Sequence, residues 1–297
     1  MKIVFLGTAS GIPTKRRSHP AIWVQYRGDV LLWDCGEGTQ RQILKAGLNF
    51  MKIDKIFISH WHADHFAGLM GLIETFNLES RKKKLEIYGP EASKFTEIME
   101  ELSHWNFGFD VEPVDLNFEG DEIDEIYKTE KYSVFSTPVE HSVPAVGFCF
   151  KENDRWNIDT EKAGKKGLKP GPKMKELKKN GEIEFKGEII KLESVAEKTI
   201  GKKVVYSGDT KPCDNIEKIS KDADVLIHDG TFIEGKTERH SSVDEAARIA
   251  KRANVKKLIL THFSRRYIGS DLDDMLEKAK EEFENVELAE DFLEIEI

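Results

Sequence analysis

Three histidines and an aspartate stand within six residues in Ser59-His60-Trp61-His62-Ala63-Asp64-His65, directly after the apolar run Ile56-Phe57-Ile58. Imidazole nitrogen and carboxylate oxygen are the donor set of zinc and similar borderline metals. In an extended segment alternate side chains point the same way, so His60 and His62 can share one ion. Asp64 and His65 fall where Phe66–Ile73 can start a helix, and can turn toward a second ion beside the first. The cluster holds three of the chain's nine histidines and nearly fills the ligand quota of one zinc by itself. The same signature, a metal-binding residue type at the end of an apolar run, recurs downstream. His141 follows Phe135–Val139, Asp209 follows Val204-Val205-Tyr206, and His262 follows Leu258-Ile259-Leu260-Thr261. In layered α/β folds, sites gather where the carboxyl ends of strands converge. Two metals are therefore expected, with Asp209 bridging them because it can turn one oxygen toward each. His240, in Arg239-His240-Ser241-Ser242 and away from any core-forming run, is placed to act as a proton donor. His19, His104 and His228 read as structural.

The elements that must position these residues follow from periodicity. Strands are expected at Lys2–Leu6, Ala21–Tyr26, Val30–Asp34, Lys55–Ser59, Leu85–Tyr88, Tyr132–Thr137, Ala145–Phe150, Lys203–Ser207, Asp224–Ile227 and Lys257–Thr261. Helices are expected at Gly38–Ala46, His65–Phe76, Ser93–Leu102, Val243–Lys251 and Asp271–Phe283, the fourth opened by a capping box of Ser242 and Glu245. Two stacked sheets with helices outside satisfy that order. One stretch, Asn153–Gly187, is rich in glycine and proline and has almost no large apolar residues. It reads as either a disordered linker or a projecting arm that buries no core of its own, inserted within one domain spanning residues 1–297. A short helix at Lys173–Lys179, after Pro172, is its expected regular element.

Hydrophobic content of 39% and charged content of 33% describe a globular, water-soluble chain. A charged-then-apolar leader and an apolar run near 18 residues are both lacking, so neither secretion nor membrane spanning is expected. Three scattered cysteines, Cys35, Cys149 and Cys213, suit a reducing cytoplasm better than a disulfide framework. The net charge of −9 argues against a nucleic-acid partner only as an average. Between Lys162 and Lys179 eight lysines face a single acid, Glu176, and Lys15-Arg16-Arg17 form a smaller basic group.

Taken together, the HxHxDH string at 60–65, His141, Asp209 and His262 resemble, in order, the metal motifs of the metallo-β-lactamase superfamily. That resemblance implies an α/β fold, a four-layer αβ/βα sandwich, with two metals per subunit, usually zinc, with manganese or another divalent metal as a substitute. Narrower stretches resemble ribonuclease Z, the endonuclease family that trims tRNA precursor 3′ ends. They are Gly7–Arg17, Asp34-Cys35-Gly36-Glu37-Gly38-Thr39-Gln40, His60–Leu69, and His240-Ser241-Ser242 ahead of an alanine-rich helix. The inserted arm, with Pro170-Gly171-Pro172, is similar to the arm with which that family grips tRNA. Two departures stand out: His228-Asp229-Gly230-Thr231 replaces a His-Glu-Ala-Thr run, and Ser18 stands where asparagine is usual.

The resemblance implies a homodimer acting on precursor tRNA, cutting a phosphodiester so that the tRNA keeps a 3′ hydroxyl and the trailer a 5′ phosphate. His60, His62 and His141 are expected to hold one ion, Asp64, His65 and His262 the other, with Asp209 between them. Asp64 would orient the attacking water and accept its proton, and His240, oriented by Asp229, would protonate the leaving oxygen. Lys15, Arg17, Lys165, Lys166, Lys169, Lys173 and Lys175 are the expected RNA contacts. The alternative is a small-molecule phosphodiesterase or thioesterase of the same fold, which has no use for a lysine-rich arm.

Overall fold

Alternation of apolar side chains on both faces of nearly every long strand decides the architecture. In β1 (Lys2–Gly7), Val4 and Leu6 join one apolar cluster, while Ile3 and Phe5, equally buried, face the other way. In a strand, burial on both faces requires a layer on each side. The computed structural model describes residues 1–102, 107–235 and 239–297, so His104 lies outside the described residues. It divides into two compact units, one of residues 1–128, 134–150 and 203–297, the other of 129–133 and 151–202.

The larger unit holds the first main sheet and nearly all of the second. The first combines β1 with β2 (Ala21–Tyr26), β3 (Asp29–Trp33), β4 (Ile53–Phe57), β5 (Leu85–Gly89) and β6 (Val111–Asp115), and Glu294–Glu296 pairs with the free edge of β1. Its outer cluster packs Val4, Leu32 and Ile56 against α1 (Thr39–Lys45), α3 (Leu69–Leu78) and α4 (Ala92–Leu102). The second sheet contains β7 (Asp124–Lys128), β8 (Tyr132–Pro138) and β9 (Val146–Glu152). The parallel strands Lys203–Tyr206, Val225–Asp229, Leu258–Thr261 and Val286–Leu288 complete it. Val205, Leu226 and Leu258 pack outward, against helices at Asp214–Ser220, Val243–Arg252 and Ser270–Lys280. The inward faces meet each other: Trp33 stacks on Tyr206 at 5.8 Å and Phe57 meets Phe148 edge-on at 5.5 Å. Helix, sheet, sheet and helix are the four expected layers.

One expected helix is two. His65–Phe76 divides into α2 (Ala63–Phe66) and α3, with Ala67 and Gly68 between them. A Cβ at Gly68 would sit 2.1 Å from the Gly36 carbonyl oxygen, so only glycine lets this turn lie against the loop after β3. That break keeps His65 on a short helix close to the strand ends.

The smaller unit corrects the expectation of a coreless arm. Ala163, Leu168, Met174, Leu177, Ile183, Ile190, Leu192, Val195 and Ala196 form its own buried cluster, with Trp156, Ile158 and Phe185 against it. Two antiparallel strand pairs, Arg155–Ile158 with Ala196–Thr199 and the hairpin of Glu182–Phe185 with Glu188–Lys191, accompany helices Thr160–Lys165 and Pro172–Asn180. The apolar residues are few but well placed. Met174 and Leu177 are one helical turn apart, and Ile183 faces Ile190 in register. The folded segment also runs wider than 153–187, from Lys151 to Lys202. Pro172 opens the second helix as expected.

Candidate active site

The site residues sit just past the carboxyl ends of strands, or in the loop or short helix that a strand leads to. His60 and His62 follow β4, His141 follows β8, Asp209 follows Lys203–Tyr206, Asp229 ends Val225–Asp229, and His262 follows Leu258–Thr261. Two backbone features draw them together. Gly208 has a φ of +59°, and a Cβ there would lie 2.8 Å from that of Ser59, so glycine brings Asp209 against the His60 loop. His262 has a φ of +64°, a left-handed conformation that costs a non-glycine residue roughly 1–3 kcal/mol and recurs at functional sites.

The ligand atoms form two groups. His60 Nε2 is 3.0 Å from His62 Nδ1, which is 3.1 Å from His141 Nε2. Asp209 Oδ2 lies 3.3 Å from His65 Nε2, 3.1 Å from His262 Nε2 and 3.7 Å from His60 Nε2. Asp64 Oδ2 completes the second group at 3.6 Å from His65 Nε2 and 3.5 Å from His262 Nε2. Within each group all donor atoms lie within 4.8 Å of one another. All seven expected ligands are thus brought together, with Asp209 in the middle.

The surrounding hydrogen bonds fix which nitrogen of each ring faces inward. His60 Nδ1 lies 3.0 Å from Ser59 Oγ, which itself donates to Asp34. His65 Nδ1 donates to Asp34 Oδ2 at 2.7 Å, and His141 Nδ1 to the Arg239 carbonyl at 2.8 Å. His262 Nδ1 lies 2.8 Å from Thr231 Oγ1. Four rings therefore turn Nε2 toward the centre, and outer partners of this kind are what orient imidazole ligands to a metal. The donor set fits divalent cations by a second sign. Asp209 Oδ1 is buried without any hydrogen-bond partner among the described residues, an arrangement that a cation would satisfy.

Charge in the cluster follows the same logic. Burial, helped by the neighbouring His65, holds His60 well below the ordinary histidine range. Burial also opposes a charge on His65, but Asp209 and Asp34 outweigh it and raise its affinity for a proton. Asp209 stays ionised although burial alone would raise its pKa, because His262 and His65 lower it further.

His240 and Asp229 lie beside these groups. His240 Nδ1 donates to Asp229 Oδ2 at 2.9 Å, so the aspartate reaches despite being one methylene shorter than glutamate. Burial lowers the pKa of His240, but the charge and hydrogen bond of Asp229 prevail and raise it to about 9. The expected capping box, in which the Ser242 amide donates to Glu245 Oε2 at 3.1 Å, starts the helix two residues later and fixes where this ring stands. His240 lines a cavity of about 410 Å³ with His62, Asp64 and His262, rimmed by Arg265 and Arg266. Imidazole, carboxylate and arginine around one cleft are suited to hydrolysing a phosphodiester.

Other expectations fare differently. Arg17 is turned inward: its guanidinium donates to Thr8 Oγ1 and to the Ala289 carbonyl, each at 2.6 Å, and lies over the Phe263 ring. These contacts hold its loop, and the half-buried residue also lines a surface cavity with Thr14, Lys15 and Arg16. Lys15 is exposed. Lys165, Lys166, Lys169, Lys173 and Lys175 are exposed on the smaller unit, Lys165 paired with Glu161 and Lys173 with Glu176. His228 is buried and bonds to the Asp229 carbonyl, as a structural residue would. Sequence reasoning assigned no role to Asp34, which accepts from the Ser59 amide and hydroxyl, Tyr206 Oη and His65 Nδ1. It too follows an apolar strand, the signal that found the other ligands. The Gly11 amide, which donates to Asp64 Oδ2 at 2.8 Å, carried no signal at all.

Residues 193–263 match the beta-lactamase superfamily domain, and residues 1–103 match the family described as anti-Pycsar protein Apyc1. Among solved structures, human tRNase Z, short form, is 28% identical and superposes with a TM-score of 0.70 over 100% of this chain and 99% of its own. YhfI of Bacillus subtilis, a metallo-beta-lactamase fold protein, is 21% identical with a TM-score of 0.69, covering 99% of this chain and 98% of its own. Fold and ligand arrangement thus define a metallo-β-lactamase fold protein with a site built for divalent metal. Ribonuclease Z of Methanosarcina mazei is 42% identical over 100% of this chain and 98% of its own length. For that of Archaeoglobus fulgidus the identity is 43% over 100% and 97%. The chain belongs to the ribonuclease Z family.

Proposed function

We propose that this protein is a metal-dependent endoribonuclease that removes the 3′ trailer from tRNA precursors, leaving a 3′ hydroxyl on the tRNA and a 5′ phosphate on the trailer. The observation that carries this reading is the pairing of two ligand groups around Asp209 with a hydrogen-bonded His240–Asp229 couple at one cleft. Relatives named ribonuclease Z and tRNase Z supply the substrate class.

His60, His62 and His141 would hold one ion, Asp64, His65 and His262 the second, with Asp209 shared. Bound there, two divalent cations, zinc by preference and manganese as a substitute, would lower the pKa of water toward about 7 and offset charge on the phosphoryl oxygens. Asp64, held by the Gly11 amide, orients the attacking water and takes its proton. His240 keeps its Nδ1 proton on Asp229 and delivers the proton of Nε2 to the departing 3′ oxygen. Arg265 and Arg266 at the rim draw in the phosphate backbone.

The exposed lysines of the smaller unit are assigned to the folded tRNA, which is read by shape and phosphate charge. We assign the active form to a homodimer, one subunit's smaller unit serving the other's cleft, and its place to the cytoplasm, where three buried free thiols stay reduced. Among the described residues no helix is long and apolar enough to cross a membrane. The test is protein stripped by chelator, then titrated with zinc or manganese and assayed on a 3′-extended precursor tRNA. Cleavage that returns with about two ions per chain supports the proposal. Hydrolysis of a small diester or thioester, with the precursor left intact, would move the protein to the small-molecule hydrolases of this fold.

A further inference from the structure

Asp229 does more than hold His240. Its carboxylate accepts four hydrogen bonds, two on each oxygen. Oδ2 takes His240 Nδ1–H at 2.9 Å and the Thr210 amide at 3.2 Å. Oδ1 takes the Thr231 amide at 2.9 Å and the Thr231 hydroxyl at 2.6 Å. The same hydroxyl lies 2.8 Å from His262 Nδ1, while His262 Nε2 points to Asp209 at 3.1 Å. A hydroxyl has one proton and a carboxylate can only accept, so the short contact to Asp229 fixes the direction of the chain. Thr231 gives its proton to Asp229 and receives that of His262 Nδ1. Asp229 and Thr231 are fully or almost fully buried, so water does not compete for these bonds.

We propose that Thr231 is a positioning residue that ties the metal ligand His262 to the acid couple, so that one carboxylate buttresses both the proton donor and one of the two metal groups. The proposal rests on the metal and acid roles assigned above. Its consequence is an asymmetry between three neighbours. Loss of His240 removes the donor and leaves the Asp229–Thr231–His262 chain intact. Loss of the Thr231 hydroxyl frees His262 Nδ1 and leaves the His240–Asp229 bond intact. Asp229→Asn disturbs both ends, because an amide cannot accept four donors.

The experiment is calorimetric titration of zinc into chelator-stripped protein, wild type and variants, with cleavage measured in parallel. Thr231→Val, of nearly equal volume, should weaken one of the two ions by about 10–100-fold, the usual cost of removing an outer partner of a metal-bound histidine. Thr231→Ser, which restores the hydroxyl, should recover wild-type binding, which a purely steric role for the threonine methyl would not produce. His240→Ala should bind both ions as the wild type does. Wild-type affinity in folded Thr231→Val would overturn the proposal. Should that variant fail to fold, Asp229→Asn against His240→Ala decides, and equal zinc affinity in the two overturns it. Wild-type protein that binds no zinc defeats the relay and the metal reading together. Two bound ions with no RNA cleavage, and the variant pattern above, would support the relay and sink only the nuclease assignment.

Discussion

His240→Ala isolates the step that this geometry explains most directly. The ring donates a hydrogen bond of 2.9 Å to a fully buried Asp229, whose charge raises its pKa to about 9. At neutral pH it is therefore a charged donor at the cleft wall. Removing it forfeits proton delivery to the 3′ oxygen, worth about 10²–10⁴-fold. At 1.36 kcal/mol per factor of ten, that is roughly 3–5 kcal/mol of transition-state stabilisation. The assay is single-turnover cleavage of a 3′-extended tRNA at saturating enzyme, beside hydrolysis of a p-nitrophenyl phosphodiester. Nitrophenolate leaves without a proton, so the defect on that substrate should shrink to less than about tenfold. Zinc content should not change. An equal loss on both substrates, or a loss of bound zinc, would refute the assignment of His240 as the acid. It would instead place His240 with Asp209, Asp229 and His262 as a metal ligand, a grouping that their proximity also permits.

Three further outcomes follow from other parts of the molecule. Cleavage rate should fall as pH rises through the His240 titration, because a general acid works below its pKa. The bound cations oppose the charge on His240, so the fall comes at or below pH 9, and a pH–rate profile of His240→Ala should lack that limb. Asp34→Ala leaves the Ser59 amide, Tyr206 Oη and His65 Nδ1 without their common acceptor. Each unpaired buried donor costs about 1–3 kcal/mol, so both the melting temperature and zinc affinity should drop; unchanged values in both would contradict its role. Replacing residues 155–199 by a short glycine-serine linker should be tolerated, since the Glu152 amide already donates to the Lys202 carbonyl at 2.8 Å. That variant should keep p-nitrophenyl diester hydrolysis and lose precursor cleavage, and equal loss of both would tie the smaller unit to the larger one's stability instead.

The sequence disclosed the layers and the ligands because both leave strong local signatures. Strands buried on two faces read as unbroken apolar runs, and a histidine or aspartate closing such a run lies where strand ends converge. His141, Asp209 and His262 were legible on that ground although scattered over more than a hundred residues. Asp34 closes a run in the same way, but its role depends on what meets it: Ser59, His65 and Tyr206 arrive from distant parts of the chain. Thr231 and the Gly11 amide were hidden for the same reason. The break at Gly68 could not be read from helical periodicity, because it answers to a carbonyl at Gly36. In the smaller unit, composition misled where pattern would have served. Few apolar residues still make a core when Met174 and Leu177 share a helix face and Ile183 meets Ile190 across a hairpin. Arg17 carries a task that its basic triplet did not announce, bonds to Thr8 and the Ala289 carbonyl that depend on what the fold brings beside it.

Mapping the products of a 3′-extended precursor tRNA to the nucleotide, beside an unstructured RNA of equal length and with or without chelator, tests the central claim most directly. The account predicts one metal-dependent cut just past the discriminator base, on the precursor alone, with a 3′ hydroxyl on the tRNA and a 5′ phosphate on the trailer. Cleavage of both RNAs at many positions, a 2′,3′-cyclic phosphate end, or a cut that survives removal of metal would contradict it.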